Sequence, residues 1–423
     1  MPTRVPWNGR AVALGVGLTV VYLLTANYDV RSVDVSAAEL AAAHLGVHGT
    51  PWLDGIGSGN PWLVPGAHGH TVSTRFPGTI LAGVPFYALL GRAAEGGGDP
   101  PAPGAVAGAV VTALAIVAVY LALRRAAPGH ALGGALALGL ATPTWAVSAE
   151  ALWPHGPAQL CLALALLQLG RGRSPGWPLA AAVLVRPHLL IVSGVLALAH
   201  LRRREQGAAV RLMLVSGTGL LAYLAWNCWI YGPWTLVGPY LPPGMHRSGL
   251  LGGLRELPLA LVSPGRGLLV LTPVLVLLSV ELLPAFRAEP WWSRAAAAGG
   301  ALSFLFTVWL VPAGGGDGFY GYRFPLEPLV LAMPLLIRCW RLLCARGRWH
   351  QRAAVGLLAL SAALSSVGAV LYKPGPVPED AWTTLAALDL TRSHGVVPVL
   401  GLMALSALAT CGLIARQQAV RTG

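Results

Sequence analysis

Charged residues are scarce in this sequence. They make up 11% of the 423 residues, whereas hydrophobic residues make up 55% and the mean hydropathy is +0.64. A soluble domain carries about 25% charged residues, so most of this chain cannot face water. The composition therefore excludes an ordinary soluble protein and predicts an integral membrane protein.

Cysteine and lysine are also rare. The five cysteines form no Cys-x-x-Cys pair and no His/Cys spacing typical of zinc sites, which argues against structural zinc and disulfides. Lys373 is the single lysine, so the net charge of +13 comes from arginine. The arginines lie between apolar runs and form no separate basic patch, so we expect no nucleic acid partner. We also expect no metal ion and no other cofactor.

Long apolar runs are abundant instead. Residues 11–26 and 105–123 approach the ~20 residues that cross a bilayer. The short charged N-terminus leads directly into the first run without a small-residue cleavage site, so we interpret this run as a retained anchor. Residues 177–201 have basic flanks and a break at Arg186-Pro187, which predicts two short arms. Further spans are predicted at residues 131–149, 157–170, 209–230, 266–284, 295–312, 325–343, 353–371 and 396–415.

The arginines between these runs indicate the orientation, because cytoplasmic loops carry an excess of Lys and Arg. If residues 77–91 crossed the membrane, Arg124, Arg125, Arg171 and Arg173 would lie outside. If residues 77–91 instead lie along the outer interface, these arginines become cytoplasmic; both cases take the N-terminus to be cytoplasmic. At fifteen residues, broken by a proline, the segment is also short for a span.

The expected architecture is an all-α integral membrane bundle of about 11–13 transmembrane helices. One polytopic domain spans residues 1–423, and residues 27–103 form a long first extracytoplasmic loop that carries juxtamembrane helices. The predicted cytoplasmic loops are short and basic. We therefore expect any chemistry to take place on the extracytoplasmic face.

Three aspartates of the first loop are candidates for a general base. Asp34 stands at the start of a run of good helix formers, where it can cap the helix. Alternatively, partial desolvation at the membrane surface would raise its pKa toward a value useful for proton transfer. Asp29 and Asp54 are alternatives on composition alone.

The segment GHTVSTRFPGT at 69–79 places His70 and Arg75 where the chain turns toward the membrane. An arginine at an interface can extend its head group to the lipid phosphates. Alternatively, Arg75 binds the phosphate of a substrate, for which planar guanidinium geometry is well suited.

A third polar segment, GGGDGFYGYRFPLEPL, covers residues 314–329. Tyr322 and Arg323 lie at the mouth of the following span, where charges are typical of a polar cavity. Arg323 and Glu327 are four residues apart, so an ordinary ion pair along one helix is the alternative. Further candidates in the predicted outer segments are Glu150, His155, Arg186, Arg266 and Asp317.

Five stretches together resemble the GT-C fold of membrane glycosyltransferases, which include protein O-mannosyltransferases and the enzymes that add aminoarabinose to lipid A. In chain order they are SVDVSAAELAAAHLGVHGTPWLD, GHTVSTRFPGTILAGVPFYALLG, LVRPHLL, VSPGRGLLVLTPVLVLL and FYGYRFPLEPLVLAMPLL. Arg75 stands where the family more often has lysine. The sequence AGGGDGF replaces the W-W-G-G element that usually precedes the last stretch.

The resemblance implies an inverting glycosyltransferase in the bacterial plasma membrane that takes a sugar from a polyprenyl phosphate. It places the role of catalytic base on Asp34. The implied contacts of the donor phosphate are Arg75, Arg323, His70, Tyr322 and Arg266. The implied contacts of the sugar or acceptor are Asp29, Asp54, His155, Asp317 and Glu150.

Several choices stay open at this point. Mannose is the first expectation for the sugar and arabinofuranose the second; the acceptor is an envelope glycolipid, a glycan, a protein or an exported peptide. A flippase or transporter of lipid-linked sugars is one alternative function, and it would also need outward cations and broken helices. A polymerase or ligase that uses diphosphate-linked glycans is another.

The predicted orientation can be tested with cysteine at Arg125 in a variant that lacks the five native cysteines. An impermeant thiol reagent added to intact cells should leave Arg125→Cys unlabelled, because positive-inside topology places this residue in the cytoplasm. Ala67→Cys, in the predicted outer loop, is the matched control and should react. Efficient labelling at position 125 would reverse this orientation.

Overall fold

The computed structural model describes residues 9–28, 32–56, 59–91, 101–236, 250–311, 318–372 and 384–422. The chain is mostly helical, and among these residues six helices are long and apolar enough to cross a membrane. They are Ala102–Ala126, Gln206–Tyr231, Trp291–Leu310, Leu326–Ala345, Arg348–Leu371 and Val396–Ile414. Each coincides with a predicted span, and the chain is a membrane protein. The larger helix count and the orientation stay predictions.

The N-terminal part combines four helices with a small hairpin. Its elements are α1 (Gly9–Thr25), α2 (Val33–His48), β1 (Leu63–Pro65), β2 (Thr71–Ser73), α3 (Pro77–Leu90) and α4 (Pro101–Ala126). The two strands pair antiparallel, with Val64 opposite Val72. Gly69, at φ 77°, supplies the left-handed residue that this tight connection requires. This short hairpin is the one β-structure among the described residues, and it was not predicted from the sequence.

The central part begins with interrupted helices. Its elements are α5 (Ala131–Leu140), α6 (His155–Leu169), α7 (Gly176–Val185), α8 (Leu190–Arg202) and α9 (Gln206–Tyr231). The predicted span at 131–149 is not one continuous helix: α5 ends at Leu140, just before Pro143, which cannot continue a helix, and a short π-helical turn follows. The break predicted at Arg186-Pro187 is confirmed, because Arg186 is extended between α7 and α8.

The C-terminal part contains both short and long helices. Its elements are α10 (Leu250–Val262), α11 (Leu268–Leu271), α12 (Val274–Ser279), α13 (Leu282–Ala288), α14 (Trp291–Leu310), α15 (Leu326–Ala345), α16 (Arg348–Leu371), α17 (Ala386–His394) and α18 (Val396–Thr422). The predicted span at 266–284 is likewise not one continuous helix. Pro273 separates α11 from α12, and Glu281, whose carboxylate pairs with Arg346, lies between α12 and α13.

Glycines allow the helices to approach one another closely. A Cβ atom at Gly219 on α9 would lie 2.0 Å from the carbonyl oxygen of Ala180 on α7. Likewise, a Cβ at Gly108 on α4 would lie 2.4 Å from the Ala151 carbonyl oxygen. Small residues at helix interfaces are the usual means of tight packing in membranes. The second contact lies four residues before His155, the first residue of α6.

Gly219 and Gly217 offer a matched pair on one helix, because no atom lies within 4 Å of a Cβ at Gly217. Gly219→Ala should destabilise the protein by about 1–3 kcal/mol through overpacking. Gly217→Ala should be neutral or stabilising by up to ~1 kcal/mol, since alanine favours helix. Thermal unfolding of both variants in detergent measures the difference. Equal melting temperatures would contradict the packing of α7 against α9.

Candidate active site

Asp34, Arg75 and Arg323 form one compact ion-pair centre. Arg75 Nη1 pairs with Asp34 Oδ1, and Arg323 Nη1 donates to Asp34 Oδ2 at 2.7 Å. The three side chains are only 15%, 15% and 11% exposed. Each carboxylate oxygen thus has its own guanidinium partner in a largely buried setting, where charge-assisted hydrogen bonds are strong.

The first turn of α2 positions Asp34. Ser32 is the N-cap residue, and its hydroxyl accepts a hydrogen bond from the backbone N–H of Asp34. The capping role considered for Asp34 therefore belongs to Ser32, two residues earlier. The Asp34 side chain is left to face the arginines, and its negative charge is favoured at a helix N-terminus.

Arg75 is held where the hairpin leads into α3. Its Nη2 donates to Thr74 Oγ1 at 3.0 Å, and its guanidinium lies 3.8 Å from the ring centroid of Trp62. A cation at this distance from an indole face is attracted by the ring. The alternative in which Arg75 extends to lipid head groups is therefore wrong for this structure, because its guanidinium has partners within the protein.

Arg323 lies in the segment that leads into α15. Its guanidinium is 4.8 Å from the ring centroids of both Trp153 and Phe319. Gly318, at φ 80°, allows this segment to approach α2, because a Cβ there would lie 2.5 Å from Ser32 Cβ. The segment is thus packed against the residue that caps the helix carrying Asp34.

The pKa of Asp34 contradicts the sequence-based expectation. Burial acts to raise this pKa, but the positive charges of Arg75 and Arg323 outweigh burial and lower it to about 2. The expected increase is therefore wrong for this arrangement of charges. Asp34 is ionised at neutral pH, but a carboxylate with this pKa is a weak proton acceptor.

A second buried cluster consists of His155, Arg186 and Glu327. Arg186 Nη1 donates to Glu327 Oε1 at 2.7 Å, and His155 Nδ1 lies 2.9 Å from both of these atoms. The side chains are at most 8% exposed. The alternative pairing of Arg323 with Glu327 is therefore wrong, because Glu327 pairs with Arg186 and Arg323 pairs with Asp34.

This second cluster joins the ends of three helices next to the Asp34 centre. His155 begins α6, Arg186 lies between α7 and α8, and Glu327 is in the first turn of α15. The Phe324 ring lies 5.7 Å from the Arg186 guanidinium and 5.5 Å from that of Arg323. His155, expected to contact sugar or acceptor, is instead enclosed in this network.

Two further predicted residues, Arg266 and Tyr322, are buried against aromatic rings near the Asp34 centre. Arg266 is buried and lies 4.9 Å from the Phe319 ring, which Arg323 also contacts. Tyr322 is buried against Phe304 and Phe324, and its hydroxyl has no hydrogen-bond partner among the described residues.

Two predicted residues form a separate exposed pair. His70 Nδ1 lies 2.5 Å from Asp54 Oδ2, and the His70 ring stacks on Trp52. Asp54 also accepts from the Thr71 backbone N–H, and these hydrogen bonds lower its pKa. Glu150 is buried in the turn before α6. Asp29 and Asp317 lie outside the described residues.

Sequence analysis missed the aromatic side chains that hold the arginines. Trp62, Trp153 and Phe319 had no assigned role, although Trp153 and Phe319 lie within segments that carried polar candidates. The available signal was the proximity of Trp153 to His155 in EALWPH; Trp62, in NPWLV, has no arginine or histidine beside it in the sequence. Such proximity alone does not indicate which arginine a ring contacts.

Comparison with known proteins identifies no relative: no family model matches the chain, and no curated protein or solved structure is significantly similar. Over the described ranges, no three His, Cys, Asp or Glu side chains are grouped so that they could hold a metal ion.

The buried pairing of Glu327 predicts a large effect on stability. Glu327→Gln leaves Arg186 without its counter-ion and should lower the free energy of unfolding by about 3–5 kcal/mol. Glu205→Gln is the control, because Glu205 and Arg203 form a pair that is 39% and 46% exposed. Its effect should not exceed about 1 kcal/mol. Unfolding in detergent should separate the two variants; similar melting temperatures would contradict a buried Glu327 ion pair.

Proposed function

We propose that this protein is an inverting glycosyltransferase that moves a sugar from a polyprenyl phosphate to an acceptor hydroxyl. The observation that carries the proposal is the convergence of Arg75 and Arg323 on Asp34. Two guanidiniums beside one carboxylate combine the two groups that such a transfer needs, an anion site and a proton acceptor. We further propose a GT-C type bundle with this site on the extracytoplasmic face of a bacterial plasma membrane.

The chemistry requires no metal ion. The donor is a phosphodiester with a single negative charge, and Arg75 and Arg323 would bind its oxygens. The acceptor oxygen attacks the anomeric carbon while Asp34 takes the hydroxyl proton. The bond from the anomeric carbon to the phosphate oxygen breaks, and its electron pair leaves with the polyprenyl phosphate. The arginines stabilise the charge that this leaving group gains, most effectively in a site of low dielectric.

An apolar cavity of about 200 Å³ supports a lipid substrate. Along α15 it is lined by Leu329, Met333, Ile337 and Trp340. Leu329 is two residues from Glu327, so one end of this lining is close in sequence to the charged clusters. We propose that the cavity takes part of the hydrocarbon chain of the donor.

The sugar is proposed to be mannose, with arabinofuranose as the second choice. The acceptor is proposed to be an envelope glycolipid, a glycan, a protein or an exported peptide. The position of Asp34 favours an enzyme over a flippase of lipid-linked sugars. A carrier gains nothing from a carboxylate inside its anion site, because the like charge opposes binding of the phosphate, whereas a transferase needs the carboxylate as a base.

Asp34→Asn tests the proposed base, because asparagine has a similar shape but cannot take a proton at neutral pH. Transfer from a synthetic polyprenyl-phosphate mannose to envelope extracts should fall at least ~10²-fold. Glu205→Gln, which also neutralises a carboxylate paired with an arginine, should retain wild-type transfer. Release of polyprenyl phosphate by the purified variants is the measurement.

Asp34→Glu is the control for loss of folding, because it keeps the negative charge between the arginines. It should purify normally and still transfer more slowly than wild type, because the carboxylate is displaced by one methylene group. Wild-type turnover in a folded Asp34→Asn variant would rule out Asp34 as the base.

A further inference from the structure

We propose that Asp34 and the substrate phosphate are alternative counter-ions of Arg75 and Arg323, so that binding of the phosphate releases Asp34 to act as the base. This inference rests on the proposed function and adds an order of events to it. In the structure, both carboxylate oxygens of Asp34 are engaged by guanidiniums. Asp34 cannot receive a proton efficiently while it is held in this way.

The arginines have supports that do not depend on Asp34. Arg75 donates to Thr74 and lies over Trp62. The Arg323 guanidinium lies beside Trp153 and Phe319. Both guanidiniums can therefore keep their places when the carboxylate is replaced by a phosphate. The exchange needs no more than a change of partner at their Nη1 atoms.

Asp34 also has a support of its own. The backbone N–H of Asp34 is bonded to the Ser32 hydroxyl at the start of α2, and this bond does not involve either arginine. A released carboxylate therefore stays beside the anion site instead of moving away with the chain. This is the position that a base needs in order to reach an acceptor hydroxyl next to the bound phosphate.

The change of counter-ion also explains how Asp34 can act as a base despite its low pKa. Burial raises its pKa, and the two arginines lower it by a larger amount. A phosphate anion bound to the arginines would offset their charge at Asp34, and burial would then be the dominant influence. The carboxylate thus becomes a stronger base when the donor is present, which predicts that the donor binds before the acceptor.

Competition for the arginines gives a test that does not require transfer. We would measure the Kd of a synthetic polyprenyl phosphate, which carries no sugar, for wild type and for Asp34→Asn in detergent. If Asp34 and the phosphate compete for the two arginines, Asp34→Asn should bind the phosphate at least about tenfold more tightly than wild type. The reason is that the substitution removes the competing charge of the Asp34 carboxylate. Glu205→Gln should bind like wild type, since its carboxylate is paired elsewhere. Unchanged or weaker binding by Asp34→Asn would overturn the exchange.

A second measurement covers the case in which Asp34→Asn is too unstable to purify alone. Exchange predicts that polyprenyl phosphate added during purification rescues the folded variant, because the phosphate supplies the missing counter-ion. A variant that stays unfolded with the phosphate would contradict the proposal.

The binding result and the transfer result are separable. Tighter binding by Asp34→Asn, with no transfer by wild type from any donor, would uphold the exchange and reject the glycosyltransferase function. Transfer by wild type, with no tighter binding by the variant, would uphold the function and reject the exchange.

Discussion

The ion pairs of Asp34 with Arg75 and Arg323 are the interaction on which the arrangement of this site depends. They join residues that are 41 and 289 positions apart in the sequence. One belongs to the first turn of α2, one to the end of the hairpin and one to the segment before α15. Charges that are largely removed from water must find partners, so these pairs strongly constrain how the three segments meet.

The surroundings of the centre reduce the cost of burying these charges. Aromatic rings lie over both guanidiniums, and the Ser32 cap orients the helix that carries Asp34. Beside the Asp34 centre, Glu327 neutralises Arg186 where the ends of three helices meet. A transferase site benefits from such rigidity, because interactions with a leaving group are most effective when the donors are already in place. The same burial makes the choice of counter-ion decisive for the strength of the base.

Much of the helical layout could be predicted from the sequence, because long apolar runs and prolines act locally. The six long helices and the break at Arg186 followed from these signals. The interruptions near Pro143 and Pro273 were missed, although both prolines were visible. The hairpin was missed because its strands have three residues each and its turn depends on Gly69.

The site itself was predicted only as a set of residues. Asp34, Arg75 and Arg323 were all candidates, but sequence distance does not reveal that they meet. The protein partner considered for Arg323 was Glu327, four residues away, as the alternative to a donor phosphate, whereas tertiary packing supplied Asp34. The pKa of Asp34 was expected to rise because burial can be inferred from a membrane location, while the opposing charges cannot. The alternative in which Asp34 caps α2 stayed open from the sequence alone, because Ser32 and Asp34 are both good capping residues.

A structure of the protein with bound polyprenyl phosphate tests the central claim most directly. The account predicts phosphate oxygens within hydrogen-bond distance of the Arg75 and Arg323 guanidiniums. It also predicts that Asp34 no longer bonds to either arginine and faces the side on which an acceptor would bind. A phosphate bound elsewhere, with both Asp34 ion pairs intact, would contradict the account.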